Sequence, residues 1–416
     1  MNILHLSTSG DGGAAMAARR IHRAVRGAGY DSTMLFHQPP RSPGPGETRL
    51  YPSHSPLQRI GMKAGLMRSE FERMGHAMAG RDDETGEMFT SIRSDYDILA
   101  TPEYRAADLV HLHWTGGFLD WPTFFRSNRK PVVWSLCDMN PLTGGCHYDH
   151  GCGRFASPPG CQDCPQLSGA RDAGWAERAL AEKRRLAAGL SFPLTFVPPA
   201  AWMGSMIEQS LVFSGFPVHE IPHLGDESTY SPLPREACRS ALGLPEADLL
   251  FLYVGESRYP RKGFSLLRDA LEQSAIEGAR GVFLGSIEEA DLPPRALLFP
   301  STAEERYLNL FYNAADAIVI PSLQENLALT FIDSQLCGTP AIAFEVGCFQ
   351  DHIEEGRNGF KAARTSAEAL ADALLRFAGA RGRLDRDVIA SEAHARYSTA
   401  SLLPRYLAIY RDAIDS

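Results

Sequence analysis

Residues 317–340 read AIVIPSLQENLALTFIDSQLCGTP. The first four are apolar and mostly β-branched, the pattern of a short buried strand. Pro321 and Ser322 break that run, and the polar loop Gln324-Glu325-Asn326 follows. Thr330 precedes a helical stretch expected over 331–337, which Gly338 and Pro340 stop. Strand, loop and helix N-terminus in succession leave backbone N–H groups free to meet an anion. Glu325 lies in the loop, and Asp333 follows eight residues later, one turn inside the helix. A carboxylate beside a phosphate repels it unless it faces sugar hydroxyls instead. The segment therefore points to a sugar nucleotide.

Strand–helix alternation extends outward from this stretch in both directions. Residues 3–7 form the first expected strand, and the loop Thr8 to Gly13 leads into a helix with Ala14, Ala17, Ala18, Ile21, Ala24 and Val25 on one side. Gly12 and Gly13 fit a tight strand-to-helix turn and equally a close backbone approach to a ligand. A second strand is expected over 32–37, but no GxGxxG fingerprint accompanies this unit, so no dinucleotide site follows. Further strands are expected at 108–114, 131–136, 194–197 and 218–221, and helices at 54–80, 173–189 and 202–211. The helix over 54–80 mixes Leu57, Ile60, Leu66 and Phe71 with Arg59, Lys63 and Arg68. It reads as a surface helix packed on its apolar side, or as a basic face resting on an anionic membrane, with Glu70 and Glu72 opposing the second reading. The loop 222–234 serves as a linker. Strands at 249–255, 281–285 and 341–344 and helices through 273, at 303–314, 366–377 and 402–414 then repeat the alternation. This predicts two doubly wound α/β domains.

The 416 residues exceed a usual single domain. No run of about 18 apolar residues is present to span a bilayer. The first residues read as a strand without the basic and apolar regions of a secretion signal, so a cytoplasmic location is expected. A formal net charge of −9 argues against general nucleic-acid binding.

Five of the eight cysteines fall between Cys137 and Cys164. Cys146, Cys152, Cys161 and Cys164 have the spacing C-x5-C-x8-C-x2-C among glycines and prolines. Four thiols with one Cys-x-x-Cys suit a closed structural zinc site, and disulfides or free thiols are the alternative. His147 and His150 are candidate substitute ligands, while Cys238, Cys337 and Cys348 stand apart as packed thiols.

These residues also carry a resemblance. PSLQENLALTFIDSQLCGTPAIAFEVG (321–347) resembles the donor-binding signature of retaining glycosyltransferases of family 4, and VGESRYPRKGF (254–264) is similar to that family's Lys-Gly phosphate loop. DGGAAMAARRIHRA near the start supports the same likeness. WSLCDMNPLTGGCHYDHGC with CQDCPQL resembles a subgroup that builds bacterial exopolysaccharide and O-antigen units. The resemblance implies the GT-B fold, two Rossmann-like domains facing a cleft. Residues 1–222, with the Cys-rich loop 137–167, would bind the acceptor. Residues 223–392 would bind the nucleotide-sugar, and 393–416 would return to the first domain.

The implied reaction moves a hexosyl group, with retention, from a UDP- or GDP-sugar to a saccharide or lipid-linked saccharide during polysaccharide synthesis. No cofactor is needed for that chemistry, and peripheral association with the inner membrane is implied as an option. By the same resemblance Lys262 is the fixed cation, Glu325 meets donor-sugar hydroxyls and Asp333 the ribose. Arg258 and Arg261 are candidate phosphate partners, Asn326, Leu327 and Thr330 supply backbone around the donor, Gly285 permits close approach, and Asp138 is a candidate acceptor-side carboxylate. Three positions depart from the family. Glu256 stands where many relatives have Arg, Asp333 replaces Glu, and Cys137 replaces a His before Asp138. His113 is either a stand-in for that His or a core residue. The departures keep two alternatives open: a non-catalytic sugar-nucleotide-binding subunit of an assembly complex, and a GT-B sugar-nucleotide epimerase.

Overall fold

The computed structural model describes residues 1–82, 85–302 and 304–416. The chain forms two compact units, Met1–Ile221 with Leu403–Ser416, and Pro222–Leu402.

The first unit is built on a parallel sheet of β1 (Asn2–Ser9), β2 (Asp31–Gln38), β3 (Glu47–Arg49), β4 (Leu109–Leu112), β5 (Val132–Trp134) and β6 (Leu194–Phe196), in the order β3-β2-β1-β4-β5-β6. The central strands bury nearly every side chain, which is why β1 and β4 are continuous apolar runs rather than alternating ones. The helix Gly13–Gly27 lays Ala15, Ala17, Ala18, Ile21 and Val25 into the core. Trp121, Phe125, Trp134, Phe196 and Phe213 form an aromatic cluster in the same core. The last helix, Thr399–Asp415, brings Tyr410 to this unit, where its hydroxyl meets Nδ1 of His111 on β4 at 2.7 Å.

The second unit repeats the plan with β7 (Leu249–Glu256), β8 (Ala279–Ser286), β9 (Leu297–Phe299), β10 (Ala317–Ile320), β11 (Ala341–Phe344) and β12 (Gly359–Ala362), in the order β12-β11-β10-β7-β8-β9, all parallel. In each sheet the strand order reverses beside the first strand, between β1 and β4 and between β7 and β10. Ligands of open α/β sheets bind at the carboxyl ends of strands flanking that reversal.

Several elements differ from the sequence expectation. Residues 54–80 are not one helix but two, Pro56–Lys63 and Glu70–Met78. Gly65 at φ +69 turns the chain between them, and Ser69 starts the second helix with a capping box. The stretch 218–221 makes only a single parallel bridge, Phe196 to Val218. The helix expected over 331–337 spans Leu329–Leu336, so Thr330 lies in its first turn and Ala328 precedes it. The helix expected from Ala303 is Glu305–Ala314, and Ala303 itself lies outside the described residues. Three helices without an expectation, Arg235–Leu242, Phe349–His352 and Arg386–Tyr397, complete the second unit.

Candidate donor site and acceptor-side carboxylate

In the second unit, the loops leaving β7 and β10 at the strand reversal carry the charged residues singled out by sequence. After β7 the chain makes one tight turn, Pro260–Lys262, then Gly263 at φ +67 starts the helix Phe264–Ser274. A side chain at Gly263 would collide with the carbonyl of Pro321, so glycine here lets the two loops touch. Leu323 N–H donates to the Arg261 carbonyl at 2.7 Å, and the Arg261 guanidinium donates to the Gln324 carbonyl at 2.8 Å. These contacts fix the loop geometry around one carboxylate.

That carboxylate is Glu325, only 6 % exposed. Lys262 Nζ donates to its Oε2 at 2.6 Å, Ser322 Oγ donates at 3.1 Å, and Arg261 lies 3.9 Å away. Burial alone would push the Glu325 carboxyl upward, but Lys262, Arg261 and the Ser322 hydroxyl together hold it below the ordinary carboxylate range. Glu325 is thus a buried anion facing two cations. Ser322 was missed by sequence reasoning, although its place three residues before Glu325 in the same loop was a usable signal.

The remaining sequence candidates sort by position. Asn326, Leu327 and Asp333 are buried, and Thr330 is half-buried in the first turn of Leu329–Leu336. That turn leaves early backbone N–H groups beside the Glu325 loop. Arg258 is largely exposed and pairs with Glu256 at 2.5 Å, whereas Arg261 is the arginine held beside Glu325. Gly285 ends β8 against β7, where a side chain would strike the Gly255 carbonyl.

In the first unit, Gly12 and Gly13 stand at the carboxyl end of β1, Gly12 at φ +91, with open space beside both Cα atoms. Asp138 follows β5 and is almost fully buried. Its Oδ2 accepts from Trp114 Nε1 at 2.7 Å and meets His147 Nδ1 at 2.5 Å, and its Oδ1 accepts from the Asn140 backbone N–H at 2.9 Å. The other His147 nitrogen meets Thr90 Oγ1 at 3.0 Å. The Asp138–His147 pair was not legible as a pair in the sequence, because a loop folds His147 back onto the strand end. With both ring nitrogens engaged, His147 is not a spare ligand for the cysteine group.

His113 is a core residue: it is buried and meets His5 at 3.0 Å, ring to ring. Among the described residues, His5, His111 and His113 are the group of potential ligands whose ligating atoms all lie within 4.8 Å of one another. Both nitrogens of His111 are already taken by Tyr410 and Ser135, so the trio is a core hydrogen-bond cluster. The four cysteines Cys146, Cys152, Cys161 and Cys164 are free thiols that line one cavity, and no three of their sulfurs share the closer spacing of the histidines.

Part of the chain matches a known family, and its fold matches solved structures. Residues 248–379 match the family model described as Glycosyl transferases group 1. D-inositol 3-phosphate glycosyltransferase of Mycobacterium tuberculosis is 30% identical over 212 residues, covering 47% of this chain and 44% of that protein. The chain thus matches somewhat less than half the length of this curated relative. Sucrose-phosphate synthase from Thermosynechococcus elongatus superposes with a TM-score of 0.68 at 17% identity, covering 99% of both chains. Anabaena Alr3699/HepE in complex with UDP-glucose gives 0.64 at 16% identity over 99% of this chain and 100% of that one. The catalytic domain of Starch Synthase IV from Arabidopsis thaliana, bound to ADP and acarbose, gives 0.65 at 14% identity over both whole chains. At these identities the structural likeness establishes the fold: two Rossmann-like domains of the GT-B type.

Proposed function

We propose that this chain, whose residues 248–379 match the Glycosyl transferases group 1 family, is a retaining glycosyltransferase that uses a nucleotide-sugar donor. The observation that carries the reading is the Lys262–Glu325 pair at the carboxyl ends of β7 and β10, where the sheet order reverses. A diphosphate arriving there competes with Glu325 for the Lys262 ammonium. Once Lys262 turns to phosphate, the Glu325 carboxylate is released to accept hydrogen bonds from donor-sugar hydroxyls. Lys262, Arg261 and the first backbone N–H groups of Leu329–Leu336 stabilise the negative charge that grows on the leaving phosphate. Asp333 lies one turn further along, within the reading as the ribose partner.

In the proposed step the bond from the anomeric carbon to the phosphate oxygen breaks. The acceptor hydroxyl oxygen bonds to that carbon on the same face, and its proton passes to a departing phosphate oxygen. The acceptor is a saccharide or lipid-linked saccharide of a cell-surface polysaccharide, and Asp138 with His147 is the polar group on the acceptor unit. UDP- and GDP-sugars are the first donors to test. The complexes of Alr3699/HepE with UDP-glucose and of Starch Synthase IV with ADP and acarbose support a nucleotide-sugar class.

A lipid-linked acceptor would place the chain at a bilayer surface. The helix Pro56–Lys63 buries none of its residues and exposes Leu57 and Ile60 beside Arg59 and Lys63. Leu66 and Phe71 extend the exposed apolar side to the next helix. This suits peripheral docking on anionic lipid, with basic side chains against headgroups and apolar ones inserted between them. No helix among the described residues is long and apolar enough to cross a membrane.

The test is a thermal-shift panel of UDP-, GDP-, ADP- and dTDP-sugars. At least one is expected to raise the melting temperature, and silence across all of them would remove the donor site.

A further inference from the structure

The cysteine-rich loop of the first unit holds more than packed thiols. Cys146, Cys152, Cys161 and Cys164 all border a cavity with ≈ 10 Å³ of free space, about the room of a single water-sized sphere. An organic ligand does not fit there; a single ion does. Phe89, Pro165 and Ala176 close the remaining walls, so apart from Arg154, Gln166 and backbone the chemistry on offer is sulfur.

Around the sulfurs the loop is held by hydrogen bonds of its own backbone. Cys161 N–H donates to the Arg154 carbonyl at 3.1 Å, Leu167 N–H to the Cys164 carbonyl at 2.9 Å, and the Thr143 hydroxyl to the Cys146 carbonyl at 2.6 Å. A second, independent observation lies behind the loop. Lys183 is completely buried, with its ammonium donating to the carbonyls of Asn140 and Thr143 and sitting 4.9 Å over the Trp121 ring. No carboxylate is within ion-pair distance of it among the described residues, and the acidic groups that act on it are the thiols of Cys146 and Cys161 and the Asp138 carboxyl. A buried cation without a paired carboxylate is costly unless negative charge forms nearby. Four thiolates around a divalent ion carry a net charge of about −2.

We propose that Cys146, Cys152, Cys161 and Cys164 bind one zinc ion in a closed tetrahedral site, with Lys183 as its buried counter-charge. Binding expels the thiol protons to solvent and draws the sulfurs to about 2.3 Å from the metal, hence about 3.8 Å from one another. The thiols stand wider than that, so metal binding must draw the loop inward. The site knots the loop 138–167, whose start carries Asp138 and whose residue after Cys146 is His147. Zinc therefore acts as a positioning element for that pair, and takes no part in bond breaking.

The test uses the full chain purified without chelator. Elemental analysis is expected to find about one zinc per chain, and the cobalt-substituted protein is expected to show thiolate-to-cobalt charge-transfer absorption in the near ultraviolet. Metal removal is expected to lower Tm by about 5 °C or more. The double substitution Cys161→Ser with Cys164→Ser should lose the metal, while Cys238→Ser keeps it. Less than about half an equivalent of zinc, no charge-transfer band, or disulfides among the four cysteines by mass analysis would overturn the proposal. The metal content and spectrum of the unmodified chain decide the matter even if the double variant fails to fold, and neither readout depends on a donor being found.

Discussion

Glu325 is a buried carboxylate kept ionised by neighbours, and its two partners have separable roles. Lys262→Ala removes the cation that a diphosphate would meet, so nucleoside diphosphate affinity is expected to fall about tenfold to a hundredfold, the worth of one charge-assisted hydrogen bond. Glu325→Gln keeps the shape, frees Lys262, and is expected to preserve nucleotide binding while lowering turnover about a hundredfold or more. Calorimetric titration alongside initial rates checks the split; equal loss of binding in both variants would contradict the competition between phosphate and carboxylate. Histidines in the first unit make a prediction of their own. Burial first, then neighbouring histidines, hold His5 and His111 well below the ordinary imidazole range, so both are neutral in the folded chain. The unfolded chain takes up protons below about pH 6.5 that the folded one refuses, so stability is full above that pH and is lost as pH falls below it. Each contributes a slope of up to about 1.4 kcal/mol per pH unit. Melting curves between pH 7.5 and 5.5 should show this decline, and His5→Leu should make it shallower.

The helices at 56–63 and 70–78 were read as one because apolar residues continue at helical spacing across the break. Periodicity sees a face; it does not see a chain reversal made by Gly65 and a new cap at Ser69. The strands were easier, since sheets covered on both faces demand uninterrupted apolar runs such as LLFLYVG and AIVI. The edge strands β3 and β12, ETR and GFKA, carry no such run and were not seen, and β9, although its LLF is apolar, is too short at three residues to stand out. Of the candidate site, Lys262 and Glu325 were legible because both sit in loops just after such strands. His147 against Asp138 was not, since nothing local announces which carboxylate a loop histidine will reach. The break at 64–69 bears on the proposed membrane docking, because it turns one helix into two short ones with Leu57, Ile60, Leu66 and Phe71 all exposed, Phe71 at 87 %. Leu57→Glu with Ile60→Glu is expected to abolish flotation with vesicles containing anionic lipid while leaving Tm nearly unchanged, because neither side chain is buried. Flotation that ignores lipid charge, or survives the substitutions, would refute docking through these helices.

At the scale of the whole chain, the two units are not two consecutive pieces of sequence. The second unit ends at Leu402, and the residues from Leu403 complete the first. That closure buries Leu403, Tyr406, Leu407 and Tyr410 and includes one buried polar contact between residues 299 apart in sequence, Tyr410 Oη to His111 Nδ1. His111 lies on β4, paired in register with His5 on β1, and its other nitrogen is held by Ser135. Tyr406 and Tyr410 are both fully buried beside it, so the last helix supplies core to a sheet made far earlier in the chain. Tyr410→Phe removes one oxygen and leaves a ring nitrogen buried without its partner, a loss of about 1–3 kcal/mol. The consequence should be local to the first unit. Hydrogen exchange is expected to quicken in β1, β4 and the last helix, while β7, β10 and the response of the second unit to nucleotide stay as before. Uniform loss of protection across both units would instead mean that the last helix stabilises the chain as one cooperative body.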